Sequence, residues 1–250
     1  MIKLSVNVNK VATLRNSRGG RTPSVIDAVK TCVSAGAPGI TVHPRQDQRH
    51  IRPGDVHEIA AWLASRQGTA GQRDVEFNIE GDPRPDLVDL VLAVRPAQCT
   101  LVPVTPGEIT SHGGWPSDTP AAALGSVIAR LRHAGVRVSL FVDPEEAPVR
   151  WAARLGADRV ELYTEPFARA FAVDRETGAR AFERCAAAAT LAHALGLGVN
   201  AGHDLDLDNL SLFQTLPHLD EVSIGHALIS HALWVGLDRA VRDYLAAMAI

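Results

Sequence analysis

The chain has 250 residues, of which 46% are hydrophobic and 21% are charged, and its formal net charge is −3. This length and composition suit one globular domain over residues 1–250 with a large core. The weak net charge argues against nucleic acid and anionic membranes as partners, and no uninterrupted apolar stretch approaches the roughly 18 residues of a membrane span.

Eight short apolar segments with the composition of β-strands recur along the chain. They cover residues 3–8, 39–42, 75–79, 98–102, 136–142, 159–162, 197–201 and 221–224. Stretches with apolar residues at helical spacing lie between them, at residues 53–65, 86–94, 121–134, 145–155 and 207–216. Because strands that alternate with helices imply parallel crossovers, we expect an α/β fold with a single (β/α)8 TIM barrel and extra short helices. Its chemistry would gather where the C-terminal ends of the strands meet.

The first predicted strand leads into amide and basic side chains. Asn7 ends the strand, and Lys10 is the one lysine that we expect at the barrel mouth. Residues 10–21 are predicted to form a flexible loop ahead of a helix that starts at Thr22-Pro23, and they include Arg15, Arg18 and Arg21. Guanidinium groups bind phosphate through paired hydrogen bonds, so this loop predicts a site for a phosphate ester. The alternative is a solvated basic loop.

Imidazole, guanidinium and carboxylate groups follow later strands. His43, Arg45 and His50 come after the second strand, Glu80 ends the third, and Glu161 lies in the sixth. A carboxylate that points into a barrel must be paired or have its pKa raised, as a proton-transferring acid requires. The alternative for each glutamate is a structural ion pair with a neighbouring arginine.

Two segments are longer than ordinary connections. Residues 104–119 contain several glycines and prolines after the fourth strand, and we interpret them as a lid that excludes water. A variable surface loop is the alternative. Residues 165–172 predict an additional short helix before a long alanine-rich helix at residues 176–195. Inserted helices of this kind more often form oligomer contacts than active sites.

The last two strands lead to further candidate groups. His203 follows the seventh strand, where an imidazole can act as a general acid or base near neutral pH. A single histidine at a strand end is often structural, but His43 and His226 are expected at the same mouth. Gly225 and His226 open the last helix, whose free N–H groups and positive dipole end can hold a phosphate.

A metal site is the rival use of these histidines and glutamates. The sequence has neither two histidines on one strand in His-x-His spacing nor close aspartate ligands, so we expect no metal. The cysteines, Cys32, Cys99 and Cys185, have apolar neighbours and no paired spacing. We therefore expect buried thiols in a cytoplasmic protein, in agreement with the lack of a charged-then-apolar leader.

A series of motifs covers nearly the whole chain. These are Val6-Asn7-Val8, residues 12–19, residues 39–45 with Arg49-His50-Ile51, Asn78-Ile79-Glu80, Leu101-Val102-Pro103, Glu108-Ile109-Thr110, residues 138–141, Glu161, residues 199–203 and residues 224–227. In this order they resemble the pyridoxine 5'-phosphate synthases of the deoxyxylulose-dependent vitamin B6 pathway. No single motif is decisive, but the ordered set is highly specific.

The resemblance implies a transferase that forms a nitrogen heterocycle. It would condense 1-deoxy-D-xylulose 5-phosphate with 3-amino-2-oxopropyl phosphate, releasing phosphate and water without a cofactor. In the family pattern His43 and Glu80 accept protons, His203 donates one, and Glu161 stabilises charge in the transition state. The amino-ketone phosphate would be held by Asn7, Arg18, Gly225 and His226, and the deoxyxylulose phosphate by Arg45, His50 and Thr110. The resemblance also implies a cytoplasmic homo-oligomer, an octamer.

Three positions depart from the common family pattern. Asn9-Lys10 replaces an Asp-His pair that contacts the sugar phosphate, Ser111-His112 replaces Thr-Glu in the lid, and Asp204 follows His203 where glycine is frequent. Lys10 can still meet a phosphate or a hydroxyl group. Asp204 can lie beside a phosphate if its backbone N–H faces the ligand. We therefore include Asn9, Lys10 and Asp204 among the predicted substrate-binding residues.

Two other functions use the same residues. With Lys10 as a Schiff-base nucleophile, the chain would be an aldolase or isomerase that acts on another sugar phosphate. A non-catalytic sensor of phosphorylated metabolites would need the arginines but not four proton-transfer groups. The presence of His43, Glu80, Glu161 and His203 together argues against such a sensor.

Overall fold

The computed structural model describes residues 2–66, 74–104 and 112–249. Eight parallel strands close into a barrel in which each strand pairs with its neighbours in sequence and the last pairs with the first. The strands are β1 Lys3–Asn7, β2 Gly39–Val42, β3 Glu76–Gly81, β4 Gln98–Leu101, β5 Arg137–Val142, β6 Arg159–Tyr163, β7 Gly198–Gly202 and β8 Leu219–Ile224. The predicted (β/α)8 barrel is confirmed, and each predicted strand overlaps an observed one.

Helices surround the barrel and return the chain from one strand to the next. Those in the described ranges are α1 Asn9–Asn16, α2 Val25–Ser34, α3 Pro53–Ala64, α4 Pro85–Val94, α5 Ala121–His133, α6 Glu146–Arg154, α7 Glu165–Val173, α8 Arg175–Ala194, α9 Leu210–Phe213, α10 His226–Val235 and α11 Leu237–Ala247. Two helices follow each of β1, β6 and β8. These are the extra helices that the sequence predicts, with α7 as the inserted helix after β6.

Two predictions between β1 and β2 are wrong. The segment predicted as a flexible loop begins with α1 instead, because Asn9–Asn16 contains neither glycine nor proline and buries Val11 and Ala12. Helix α2 begins at Val25 rather than at Thr22-Pro23. The hydroxyl oxygen of Ser24 caps it by accepting a hydrogen bond from the N–H of Asp27 at 3.2 Å.

The predicted helix at residues 207–216 is also wrong in extent, since only α9 is helical there. The carboxylate of Asp206 accepts hydrogen bonds from the backbone N–H groups of Asp208 at 3.0 Å and Asn209 at 2.8 Å. Such local bonds between side chain and backbone compete with helix formation. They delay the helix to Leu210.

The hydrophobic core is a ring between the sheet and the helices. Leu4 and Val6 of β1 are fully buried in it, and the side chains that alternate with them face the barrel axis. In the middle of the barrel these inward side chains are polar: Ser5, Thr41, Asn78, Thr100 and Ser139, all buried. Branched apolar residues usually fill this layer of a TIM barrel. Because an unpaired buried polar group costs about 1–3 kcal/mol, most of these groups are paired: Ser5 with Thr41, Asn78 with Thr41, and Thr100 with Asn78. The hydroxyl of Ser139 has no partner among the described residues.

Charged and amide side chains close the N-terminal end of the barrel. Arg137 pairs with Glu76 and donates to Oε1 of Gln98 at 2.9 Å. Arg159 donates to Oδ1 of Asn200 at 2.7 Å. Buried polar groups of this kind are satisfied by one another, and the cavity described below lies at the opposite end.

Two chain-wide expectations concern membranes and thiols. Within the described ranges, no helix combines the length and the apolar character that crossing a membrane would require. Cys32, Cys99 and Cys185 are free and buried, as predicted. Burial raises the pKa of each thiol, which makes these cysteines poor nucleophiles.

Candidate active site

A polar cavity of about 430 Å³ opens at the C-terminal end of the barrel. Strand ends from several parts of the chain meet around it, because parallel strands in a barrel all end on one face. The predicted site residues that line it are Asn7, Asn9, Lys10, His43, Arg45, His50, Glu80, Glu161, His203, Asp204, Gly225 and His226. The lining also includes Thr13, Arg49 and Ser223.

Two predicted site residues are not part of this lining. Arg18 is exposed in the turn after α1 and is not among the residues that line the cavity. Thr110 lies outside the described residues, as does the segment 105–111 of the predicted lid. Of the rest of that lid, Trp115 is anchored to the barrel, with its backbone N–H on the carbonyl of Phe141 and its Nε1 on the carbonyl of Leu101, both at 2.9 Å.

One side of the cavity is basic. Lys10, Arg45, Arg49 and His50 line it. Burial, followed by the charge of Arg45, lowers the pKa of His50 to about 4, and Lys10 adds to this effect. His50 is therefore a neutral hydrogen-bonding group beside guanidinium and ammonium groups at physiological pH. Such a cluster is suited to an anion such as phosphate.

Helix α1 holds in position the loop after β2, which carries Arg45, Arg49 and His50. Arg15 donates two hydrogen bonds to the carboxylate of Asp55 in α3, at 2.5 and 2.9 Å, and one to the carbonyl of His50 at 3.2 Å. Asn16 donates to the same carbonyl at 2.8 Å. The prediction that Arg15 belongs to a phosphate-binding cluster is therefore wrong. Its guanidinium is buried in an ion pair that connects α1, α3 and the loop after β2.

The N-terminus of α10 forms another side of the cavity. Gly225, His226 and Ala227 line it, and the first N–H groups of a helix have no intrahelical partner and carry the positive end of its dipole. Gly225 packs closely on Asn7, since a Cβ added at this glycine would lie 3.1 Å from the Cβ of Asn7. The absence of a side chain therefore lets the helix end approach β1. This end can bind a second anion.

Glu80 lies at the end of β3 among hydrogen-bond donors. Nδ2 of Asn7 donates to its Oε2 at 3.4 Å, and the hydroxyl of Ser223 also bonds to the carboxyl. Burial and then the charge of Glu221 raise the pKa of Glu80 to about 8, while the bond from Ser223 opposes this rise. A carboxyl group with such a pKa exchanges its proton near neutral pH, as general acid–base catalysis requires.

Glu161 on β6 has fewer partners. Its carboxyl bonds to the hydroxyl of Thr100, and its Oε2 is buried without a hydrogen-bond partner. Gly202 on the adjacent strand leaves space for it, because a Cβ there would lie 2.5 Å from Oε1 of Glu161. Burial, and then Glu80 and Glu221, raise the pKa of Glu161 well above its ordinary value, while the bond from Thr100 opposes this rise.

The barrel's arginines are engaged elsewhere. Arg137 pairs with Glu76, Arg159 bonds to Asn200, and Arg84 pairs with Asp82. No ion pair among residues 2–66, 74–104 and 112–249 includes Glu80 or Glu161. The alternative interpretation of these two glutamates, a structural ion pair with a neighbouring arginine, is therefore wrong for the described part of the chain.

His43 combines burial with a free ring nitrogen. Its backbone N–H donates to Oδ1 of Asn9 at 2.9 Å, and its Nε2 is buried without a partner. Burial, followed by His50 and Arg45, lowers the pKa of His43 well below its ordinary value. The ring is therefore neutral near pH 7, and one of its nitrogens can accept a proton or donate a hydrogen bond.

His203 is held in an aromatic setting. Its ring centroid lies 5.0 Å from that of Phe141 and 5.3 Å from that of Tyr163. Its backbone is left-handed, with a φ of 83°, and the hydroxyl of Thr164 donates to the carbonyl oxygens of Gly202 and His203. Burial lowers the pKa of His203, and Asp204 opposes this effect. Such a strained conformation persists only where the surroundings enforce it.

The sequence reasoning missed Ser223, and it did not assign a role to Arg49. Ser223 and Glu221 stand two positions apart in β8 and therefore face the same side of the strand. Two polar residues at this spacing in a segment that predicts a buried strand were a usable signal. Among the described residues, no group of three or more His, Cys, Asp or Glu can hold a metal ion.

Comparison with known proteins gives consistent matches over nearly the whole chain. The family model of the pyridoxal phosphate biosynthesis protein PdxJ matches residues 4–250. The chain is 51% identical over 245 residues to pyridoxine 5'-phosphate synthase of Bacteroides fragilis, covering 98% of each chain. It is 45% identical over 251 residues to pyridoxine 5'-phosphate synthase of Porphyromonas gingivalis, covering 100% of each.

Solved structures are similar at a coarser level. Phosphoribosylanthranilate isomerase from Thermotoga maritima superposes with a TM-score of 0.56 at 13% identity, covering 99% of this chain and 98% of that one. KGPDC from Streptococcus mutans gives a TM-score of 0.64 at 8% identity, covering 99% and 97%. At these identities the likeness shows the shared barrel fold alone.

Proposed function

Since the chain belongs to the pyridoxine 5'-phosphate synthase family and is an enzyme of pyridoxine biosynthesis, we propose that it condenses 1-deoxy-D-xylulose 5-phosphate with 3-amino-2-oxopropyl phosphate. Phosphate and water leave as the pyridine ring closes. One observation carries this proposal: a single cavity is lined by a cluster of basic side chains, by the N-terminus of α10, by Glu80 and Glu161, and by His43 and His203. A condensation of two phosphorylated substrates with several proton transfers needs this combination.

We propose that the cavity holds both substrates together. Its volume of about 430 Å³ lies within the roughly 300–1,000 Å³ of small-molecule sites. The phosphate of the amino ketone would bind at the N-terminus of α10, held by Gly225, His226 and Asn7, with Arg18 joining them as the family pattern implies. The phosphate of the sugar would bind Arg45 and His50 on the basic side, with Thr110 and with Asn9 and Lys10 close to the sugar chain. Asp204 would contribute through its backbone N–H.

The protonation states support the proposed roles. His43 is neutral and has a free nitrogen, so it can accept a proton at neutral pH. Glu80 has a pKa of about 8, and a substrate ammonium group beside it would lower that value and convert the carboxyl to a base. His203 must take up a proton before it can donate one. The neighbouring Asp204 and an anionic substrate both favour that uptake.

We also propose that the enzyme is a cytoplasmic homo-oligomer, with the octamer that the family resemblance implies. The end of α10 exposes 71% of Leu233 and 87% of Trp234, and large apolar side chains exposed side by side are typical of protein interfaces. The three free buried thiols are consistent with a reducing compartment. Light scattering on the purified protein measures the number of subunits.

The decisive experiment is an assay for pyridoxine 5'-phosphate with both substrates and no added metal. Omission of either substrate should abolish the product. His43→Ala and Glu80→Gln should lose turnover but keep their affinity for phosphorylated ligands, because the anion-binding groups are unchanged. His57→Ala and Glu58→Gln, both on the exposed side of α3, are matched controls that should remain active. A wild-type enzyme that makes no product from the two substrates would refute the proposal.

A further inference from the structure

The loop after β2 carries two groups of the candidate active site, since His43 and Arg45 both line the cavity. The backbone N–H of His43 donates to Oδ1 of Asn9 at 2.9 Å, and the N–H of Arg45 donates to the carbonyl of His43 at 3.0 Å. Pro44 stands between them and has no N–H to donate. Backbone hydrogen bonding can therefore hold Pro44 only through its carbonyl oxygen.

Arg84 supplies that bond from the loop after β3. Its Nη2 donates to the carbonyl of Pro44 at 2.5 Å, from 40 positions further along the chain. Its Nη1 pairs with Asp82, and its Nε donates to Asp86 at 3.1 Å. The guanidinium is planar and rigid, so two carboxylates that hold two of its nitrogens also set the direction of the third. The third nitrogen is the one that reaches Pro44.

The backbone of Arg84 is fixed to the end of β3. Arg84 is the N-cap of α4 and stands between two prolines, whose rings restrict the backbone on both sides. A Cβ added at Gly81 would lie 2.6 Å from Cδ2 of Leu87, so α4 packs closely on the strand end that carries Glu80. The side chain of Arg84 is only 12% exposed. Arg84 therefore connects two strand ends of the site through a short, constrained segment.

We propose that Arg84 is a positioning residue, which ties the loop after β2 to the loop after β3 and so holds His43 and Arg45 in place relative to Glu80. The proposal rests on the proposed function in so far as that function gives these three residues their roles. Arg84 is not among the residues that line the cavity, so it acts through the backbone of Pro44 and not by contact with a substrate. A displacement of about 1 Å at a reacting centre can cost roughly 100-fold in rate.

The charge of the guanidinium supports the same role. The lowered pKa of His43 has burial as its largest cause, followed by the charges of His50, Arg45, Arg84 and His203. These groups belong to the loops after β2 and β3 and to the segment after β7. A positive charge beside an imidazole disfavours its protonated form, although the two carboxylates bonded to Arg84 partly offset that charge. Arg84 thus helps to keep the ring able to accept a proton.

Hydrogen–deuterium exchange measured by mass spectrometry tests the connection between the two loops without turnover. Arg84→Lys keeps the charge but not the planar fork, and Arg84→Met removes both. Residues 43–48 should exchange about tenfold faster in both variants than in wild type, because opening the loop no longer breaks the bond to Pro44. Arg130→Met is the matched control, since it removes an exposed guanidinium that lies 3.9 Å from Asp89 in α4. It should exchange as wild type does, and wild-type exchange in either Arg84 variant would overturn the proposal.

Steady-state kinetics test whether the connection matters for the reaction. The value of kcat should fall by about 10- to 100-fold in Arg84→Lys as well as in Arg84→Met. The KM for 1-deoxy-D-xylulose 5-phosphate should rise, because Arg45 belongs to the displaced loop, whereas the KM for the amino ketone should not change. Wild-type kcat in folded Arg84→Lys would overturn the positioning role, so the test stands even when Arg84→Met does not fold. Urea denaturation shows which variants are folded.

Titration of His43 separates position from charge. Comparison with His43→Gln assigns its ring resonance in NMR spectra of the substrate-free enzyme. The ring should take up a proton at a higher pH in Arg84→Met than in wild type, whereas Arg84→Lys should titrate close to wild type, since it keeps the positive charge. Equal midpoints in Arg84→Met and wild type would overturn the electrostatic contribution. Exchange and titration need no substrate, so these results can stand if the proposed reaction fails, and the reaction can stand if they fail.

Discussion

Replacing Gly202 with alanine tests whether the carboxyl of Glu161 must occupy its position in the structure. The added Cβ would lie 2.5 Å from Oε1 of Glu161 and 3.4 Å from the carbonyl oxygen of Ser223. Non-bonded contacts settle near roughly 3.5 Å, so the carboxyl must retreat by about 1 Å. A misplacement of this size at a reacting centre costs roughly 100-fold in rate. We expect kcat of Gly202→Ala to fall by about that factor.

Steady-state kinetics at saturating concentrations of both substrates measure this loss, and urea denaturation measures the free energy of unfolding. The latter should fall by about 1–3 kcal/mol, as is usual for an overpacked interior. Gly125→Ala is the matched control, because its added Cβ meets nothing within 4 Å in α5. Combined with Glu161→Ala, Gly202→Ala should cause no further loss of kcat, since both changes act through one carboxyl. Wild-type kcat in the Gly202→Ala single variant would refute the reasoning.

Arg15→Met leaves the buried carboxylate of Asp55 without its partner, so we expect the free energy of unfolding in urea to fall by about 3–5 kcal/mol. Arg180→Met, which breaks an exposed pair, should cost less than about 1 kcal/mol, and equal losses would contradict the role of Arg15. The pKa of His50 falls from 6.5 to about 4 on folding, so only the unfolded chain binds this proton between those values. The free energy of unfolding of the wild type should therefore fall by up to about 3 kcal/mol more than that of His50→Gln as the pH drops through that window. Equal falls in the two proteins would contradict the lowered pKa of His50. Borohydride reduction with both substrates should leave Lys10 unlabelled, whereas label on Lys10 would favour a Schiff-base aldolase.

Strand ends made the location of the site predictable from the sequence. His43, Glu80 and Glu161 are far apart in the chain, but each belongs to a strand end or an inward strand position of the same barrel. Because parallel strands all present their C-terminal ends on one face, one polar residue per strand was enough to predict a shared cavity. The resemblance to the family then implied a role for each of these residues, which the spacing of apolar residues alone cannot do.

The rest depended on contacts that no local pattern encodes. The partner of Arg15 is Asp55, 40 positions away in another helix, so its ion pair could not be distinguished from a phosphate-binding role. Alternation along β3 and β4 indicates that Asn78 and Thr100 face inward. The direction of their hydrogen bond depends on the register between strands and on the orientation of one amide group, and both require coordinates.

The carboxyl groups of the site belong to strands, whereas the basic groups belong to α1 and to the loop after β2. Barrel strands are held by neighbours on both sides, but a loop and a surface helix tolerate substitution. Under the proposed reaction, exchange of Lys10 or Arg49 should therefore change which phosphorylated ketone is accepted, while Glu80 and Glu161 stay in register. Variants designed to make new pyridine products would therefore carry substitutions in α1 and in the loop after β2, and would keep the barrel strands unchanged.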